Sequence, residues 1–199
     1  MKHTAHNTTK GFTLVELMVA TSIFIVIMLI VMSALVSSSH SSQKSQALRE
    51  AMDNVNFAME NMSRTLRISS AFHCLPSGQS IDLSQVPSPQ DCPLSGATYG
   101  TAVAFTPPAS LAIAPGSMAY QSVARGDGTT TLKRCTTNGC IDIVSADVDV
   151  QMLKFFVSGS DPADTTQPSV YILMEGSVDV KGVPTAFSMQ TLASQRSSE

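Results

Sequence analysis

Glu16 stands at the head of an apolar run, Leu17–Val36, whose 20 residues include Thr21, Ser22 and Ser33 but no charge. A carboxylate beside such a hydrocarbon-like stretch is costly to desolvate, so an ionisable residue there reads as a functional group with a partner. A cut after Gly11 would supply one: Phe12 would become the N-terminus and carry a cationic amine one helical turn ahead of Glu16. The pair would form within one chain or with the Phe12 amine of a neighbour. Alternatively, Glu16 snorkels to the aqueous interface. The chemistry implied is processing and ion pairing, not turnover of a substrate.

The four cysteines, Cys74, Cys92, Cys135 and Cys140, offer a second chemistry. They allow three pairings into two disulfides. Cys135 and Cys140 flank Thr136-Thr137-Asn138-Gly139, where local closure is easy, and Cys74 with Cys92 would then close a proline-rich loop. A loop of that size stabilises by about 3 kcal/mol in the chain-entropy estimate. A four-cysteine zinc site is the competing arrangement, but its close pairs normally have two to four intervening residues, and Cys74–Cys92 is far outside that spacing.

No catalytic constellation emerges from the remaining polar residues. His3, His6, His40 and His73 are scattered without an obvious nucleophile beside them. Asp142, Asp147 and Asp149 cluster in sequence, with solvation of a strand edge as their simplest role. Asp161 and Asp164 offer hard oxygen ligands for calcium without a full EF-hand signature. Arg125-Gly126-Asp127 precedes Gly128 and is explained by a turn. Neither enzymatic activity, a cofactor nor a metal is expected. Without Met1–Gly11 the chain holds 10 basic against 15 acidic residues, a formal balance of −5. That charge, with no dense basic patch, argues against direct nucleic-acid binding.

The elements that must position these groups begin with the apolar run. As a helix it is roughly 30 Å long, about the hydrocarbon thickness of a bilayer. In lipid, a helix is how a single segment satisfies its own backbone groups, whatever its β-branched content. A cleaved secretory signal is the alternative; this run is too long and lacks a small-residue cleavage pattern on its far side. Lys2 and Lys10 before the span and Lys44 and Arg49 after it barely separate the two ends by charge; the short leader favours a cytoplasmic N-terminus.

Beyond the span, Ser41–Ile68 contains no Gly or Pro, and Leu48, Met52, Val55, Met59, Met62 and Leu66 recur at spacings of three and four. That period predicts a continued amphipathic helix to about Ser70, with the serine-rich Ser37–Ser45 as its weak joint. The Met stripe is read as the face on which a sheet rests rather than a peptide groove. Residues 71–199 hold every Cys and every Pro and lose the helical period. An irregular connection with a short strand near Ala102–Phe105 is expected first. Strands follow at Met118–Ala124, Thr130–Cys135, from Val148 to Phe155, from Val170 to Val180, and around Phe187–Thr191, with Asn138-Gly139 as a hairpin signal. The expectation is one antiparallel sheet of about four to six strands, one face against the helix.

Gly11-Phe12-Thr13-Leu14-Val15-Glu16-Leu17-Met18-Val19, with its basic leader and long apolar span, resembles the class III signal of type IV prepilins. That signal is shared by type IV pilins, minor pilins and type II secretion pseudopilins. The resemblance implies that Gly11 ends a leader removed by a prepilin peptidase and that Phe12 is then N-methylated. It also implies that Glu16 neutralises the Phe12 amine of an adjacent subunit during assembly. Many major pilins carry a Pro about two-thirds of the way through this helix; Ser33 stands in that place here. The order of elements near the C-terminus and the segment Met59–Arg67 also resemble minor-pilin or pseudopilin heads of the J or W type.

The implied fold is α+β and type IV pilin-like: a long N-terminal helix, transmembrane and then amphipathic, packed against an antiparallel β-sheet head. The implied organisation is a leader at 1–11, a transmembrane and assembly helix at 12–40, its amphipathic continuation at 41–70 and an extracytoplasmic disulfide-containing head at 71–199. The implied function is a structural subunit of a type IV-type filament, with a type II secretion pseudopilin or a membrane-tethered adhesin as alternatives. Its partners would be the prepilin peptidase, other pilin or pseudopilin subunits, an inner-membrane assembly platform and, before assembly, membrane lipid. The expected location is the inner membrane, as a single-pass protein with its head outside the cytoplasm.

Overall fold

The computed structural model describes residues 11–76, 82–84, 87–92, 99–109, 116–163, 165–180 and 182–196. The chain divides into two compact units, Met1–Gln46 and Ala47–Glu199.

The described part of the first unit is helix preceded by a short non-helical lead. Helix α1 is assigned as Leu14–Arg67, and its residues up to Gln46 fall in this unit. Thr13 caps the start: its Oγ1 accepts a hydrogen bond from the backbone N–H of Glu16 at 3.3 Å. Thr13-Leu14-Val15-Glu16 is thus the sequence of a capping box, with an acidic residue in the first turn where the helix dipole favours it. Thr21, Ser22 and Ser33 each donate to the carbonyl three residues back, of Met18, Val19 and Ile30, at 3.0, 2.8 and 2.8 Å. No hydroxyl in the apolar run therefore needs water. Ser37–Ser45, the expected weak joint, is helical throughout.

The second unit is built around the last turns of α1. Ala51, Val55, Ala58, Met59, Met62 and Leu66 are buried and recur every three or four residues, which lines one face. The helix ends at Arg67, short of the expected Ser70, where Ile68 and Ser69 donate to carbonyls three residues back. Arg64 and Arg67 sit in this last turn, favourably placed for the dipole.

Eight strands follow among the described residues: β1 (Ser70–Leu75), β2 (Ala102–Thr106), β3 (Met118–Ala124), β4 (Thr130–Thr136), β5 (Gly139–Asp142), β6 (Val148–Ser158), β7 (Ser169–Val180) and β8 (Val183–Ser194). All named pairings are antiparallel. They form a five-stranded sheet, β1-β2-β3-β4-β5, and a three-stranded sheet, β6-β7-β8, instead of one sheet of four to six strands.

The division has a local cause. Phe155 and Gly100 exchange backbone hydrogen bonds at 2.8 Å, and Cys92 N–H donates to Val157 carbonyl at 2.9 Å. Connecting segments thus occupy ladder positions on β6 that a sixth strand of the first sheet would need. β1 falls where an irregular connection was expected; its partner β2 lies some thirty residues away, and that pairing is not encoded locally.

Residues from the α1 face (Val55, Met62, Leu66) share one core with the five-stranded sheet (Phe72, Phe105, Tyr120, Leu132) and the three-stranded sheet (Phe155, Ile172, Met174). The architecture is α+β, a long N-terminal helix packed against antiparallel sheets. Met59 and Met62 are buried in that core, so the Met stripe is packing surface.

Candidate processing and assembly site

Gly11 and Phe12 precede the first turn of α1 in a non-helical backbone. Nothing lies within 4 Å of where a Cβ on Gly11 would be, and Phe12 is 84% exposed. The Gly11–Phe12 peptide bond is therefore non-helical and uncovered. The residues before Gly11, including Lys2 and Lys10, lie outside the described residues. Glu16 is exposed, and its carboxylate has no hydrogen-bond or ion-pair partner among the described residues. Its backbone N–H is held by Thr13, so the acid sits at N3 of a capped helix with a free carboxylate. The role of Thr13 was open to sequence reasoning through the T-x-x-E spacing but was not drawn from it.

Every large apolar side chain from Leu14 to Val36 is exposed, and this stretch of helix is long and apolar enough to cross a membrane. The arrangement offers an accessible Gly11–Phe12 bond, a carboxylate unpaired among the described residues one turn beyond it, and an apolar helix surface without cover.

The cysteines are bonded as Cys74–Cys92 and Cys135–Cys140, with no free thiol among the described residues. Cys135 and Cys140 face each other directly in the β4–β5 hairpin, with Thr137 and Asn138 at the turn. Cys74 lies in β1, and Cys92 in the segment that pairs with β6. His73 Nδ1 meets the Ser88 carbonyl at 2.6 Å, which ties the same loop down.

The other polar candidates resolve into structural roles. Arg125 donates to the carbonyls of Ser145, Ala146 and Val148 at 3.2, 3.1 and 3.0 Å, clamping the approach to β6. Asp127 accepts from the N–H and hydroxyl of Thr129, which holds its carboxyl below the usual range, so Arg125-Gly126-Asp127 is a bonded turn. Asp149 accepts from Thr130 N–H at 2.8 Å and Asp142 from the Thr131 hydroxyl at 2.8 Å, where strand-edge solvation was expected. Asp161 accepts from Ala163 N–H in a local turn, and Asp164 lies outside the described residues. No three His, Cys, Asp or Glu side chains are grouped to hold a metal among the described residues.

Residues 6–35 match the family described as the prokaryotic N-terminal methylation motif. No curated protein and no solved structure matches the chain. The motif, the long N-terminal helix, the β-sheet head and the disulfides together define a type IV pilin-like architecture. Within it the chain is a structural, pilin-like subunit.

Proposed function

We propose that the chain is a prepilin, cleaved between Gly11 and Phe12 by a prepilin peptidase, N-methylated on Phe12 and assembled as a minor, low-abundance subunit of a type IV-type filament. In this reading residues 1–11 are the leader, 12–40 the membrane and assembly helix, 41–70 its amphipathic continuation and 71–199 the extracytoplasmic head. The subunit waits in the inner membrane with its head outside. It enters the filament through an assembly platform, by lateral packing of α1 against other pilin-like subunits.

The observation that carries the reading is the methylation motif on residues 6–35 at the head of an uncovered apolar helix. An uncovered Gly11–Phe12 bond and an unpartnered Glu16 agree with processing at the first and ion pairing at the second. A minor role is favoured by the large, proline-punctuated head. A tethered adhesin would need neither the cleavage nor the carboxylate.

The test is the mature N-terminus of the natively expressed protein, read by intact mass and terminal fragments. The expected product is 188 residues beginning with methylated Phe12. Retention of Met1–Gly11, or release at a site beyond the apolar run, overturns the proposal.

A further inference from the structure

The three-stranded sheet has two faces of different character. Phe155, Val157, Val170, Ile172 and Ala193 are buried in the core, so strand alternation turns Phe156, Tyr171 and Leu192 to the other face. There the register sets them side by side: Phe156 pairs with Tyr171, and Tyr171 with Leu192. Tyr99 extends the row, because its neighbour Gly100 exchanges backbone hydrogen bonds with Phe155 at 2.8 Å. Ring centroids lie 6.1 Å apart for Tyr99 and Phe156, and 5.7 Å apart for Phe156 and Tyr171. Tyr99 is 36% exposed and Leu192 55%, with the two rings between them half-buried.

Polar groups hold this row in place and border it. Lys154 Nζ stands 4.5 Å from the centre of the Tyr99 ring, and the Tyr171 hydroxyl donates to Gln190 Oε1 at 2.5 Å. Along one side Ser158, Ser169 and Ser194 run in register, the first two sharing a hydroxyl hydrogen bond of 3.0 Å. Along the other side run Lys154, Leu173 and Gln190. Beyond the row, Leu192 opens on a groove of about 740 Å³ whose other described lining is polar: Arg67, Gln167, Ser194, Gln195 and Arg196.

Such a surface calls for a ligand with apolar faces and polar edges. Pyranose rings have both: C–H groups above and below, hydroxyls around the rim. The C–H faces gain shelter from water against aromatic rings, and the hydroxyls exchange hydrogen bonds with serine, lysine and amide side chains. The ring spacing along the row is close to the length of one sugar unit. A lipid tail would meet the apolar row and leave its serine and amide borders unpaired. A lasting protein contact covers about 800 Å² a side. A fully exposed aromatic side chain presents about 150–250 Å², and these three are already mostly covered, so the row is too small for that.

We propose that the outer face of β6-β7-β8 binds an extended oligosaccharide of equatorially substituted pyranoses. The sugar lies across the strands from Tyr99 to Leu192, with one end in the groove. Tyr99, Phe156 and Tyr171 each shelter a sugar face, while Lys154, Gln190 and the serines hold hydroxyls. Binding makes and breaks no covalent bond. The site belongs to the head alone, so it goes beyond the filament reading and stands or fails without it.

The experiment titrates the full-length chain with cellohexaose and with N-acetylchitohexaose, in a detergent without a sugar headgroup. Tyrosine emission is one readout: the chain has three Tyr and no Trp, and Tyr120 is fully buried, so a change reports on Tyr99 and Tyr171. Calorimetry gives the affinity where a substitution removes part of that signal. Wild type is expected to bind at least one hexamer, and to bind glucose on the order of tenfold more weakly, since one ring covers only part of the row. Tyr99→Ala and Leu192→Lys change exposed positions and are expected to melt as wild type does. Each is expected to weaken hexamer binding on the order of tenfold. Failure of both hexamers to bind wild type overturns the proposal. So does binding that both substitutions leave unchanged, or glucose binding as tight as that of the hexamer.

Discussion

Gly176 in β7 lies directly against the backbone carbonyl of Asp149 in β6, where a Cβ would collide with it. The close approach comes from the register shift between Asp149 and Met152, which pulls the β6 backbone toward its neighbour. On the other side Gly176 pairs with Phe187, whose ring covers the place a side chain would occupy. An aromatic partner fills the packing that glycine leaves empty.

Gly176→Ala is therefore expected to destabilise the head by about 1–3 kcal/mol, since the obstacle is backbone and cannot rotate aside. Thermal unfolding of the purified full chain reads this directly. A melting temperature equal to wild type would mean that the β6 bulge relaxes without cost.

The two disulfides should separate by reductant strength. Cys74 and Cys92 are 1% and 6% exposed, whereas Cys140 is exposed in the β4–β5 hairpin. Graded reduction with alkylation and mass mapping is expected to label Cys135 and Cys140 first. Their removal as a serine pair should also cost less: loop closure over 5 residues is worth about 2 kcal/mol, against about 3 kcal/mol over 18. Simultaneous labelling of all four cysteines would show that the buried bond opens with the exposed one.

Tyr120 gives the head a pH dependence of known sign. Burial pushes its phenol above the ordinary value of 10.0, against the lowering influence of the Thr65 hydroxyl and the Arg134 guanidinium. Its hydroxyl is buried without a hydrogen bond of good geometry among the described residues, so desolvation dominates. A raised folded value means that the native state holds this proton more tightly than the unfolded chain does. The stability it contributes is complete below about pH 10 and is lost as pH rises toward the folded value. Tyr120→Phe should be close to neutral at pH 7, because it removes an unpaired buried hydroxyl, and should lose less stability than wild type above pH 10. Denaturant melts of both proteins at pH 7 and in the alkaline range check this. Parallel pH profiles would assign the alkaline loss elsewhere.

Glu16 should matter for assembly and not for insertion. Glu16→Leu or Glu16→Ala removes a desolvation cost and keeps the span apolar, so membrane recovery is expected to be unchanged. The ratio of subunit in sheared filaments to subunit in membranes is expected to fall for Ala and also for Gln, which keeps shape and deletes charge. Cleavage is followed in parallel. Equal ratios for wild type, Ala and Gln, with normal filaments, would remove Glu16 as the assembly contact.

How much of this was legible in the sequence depended on range. The helix face from Val55 to Leu66 and the roughly alternating strand from Val148 to Phe155 carry their own period, and both lie where that period put them. The β4–β5 hairpin was legible from Asn138-Gly139. β1 was not, because Ser70–Leu75 becomes a strand only by pairing with Ala102–Thr106. The second sheet was hidden for the same reason: Gly100 and Cys92 meet β6 more than 50 positions away in the chain. The candidate processing residues Gly11 and Phe12 are contiguous and stood out at once.

The bare hydrocarbon of α1 limits the routes by which this chain can travel. Eighteen large apolar side chains between Phe12 and Val36 are exposed, and sheltering each from water is worth about 1.5–3 kcal/mol. The sum is tens of kcal/mol, beyond any population that thermal motion could supply. A subunit leaving the bilayer thus has no dissolved, waterborne interval open to it. Each residue that leaves lipid must pass straight into contact with protein, and a subunit shed from such contact must return to a membrane or precipitate.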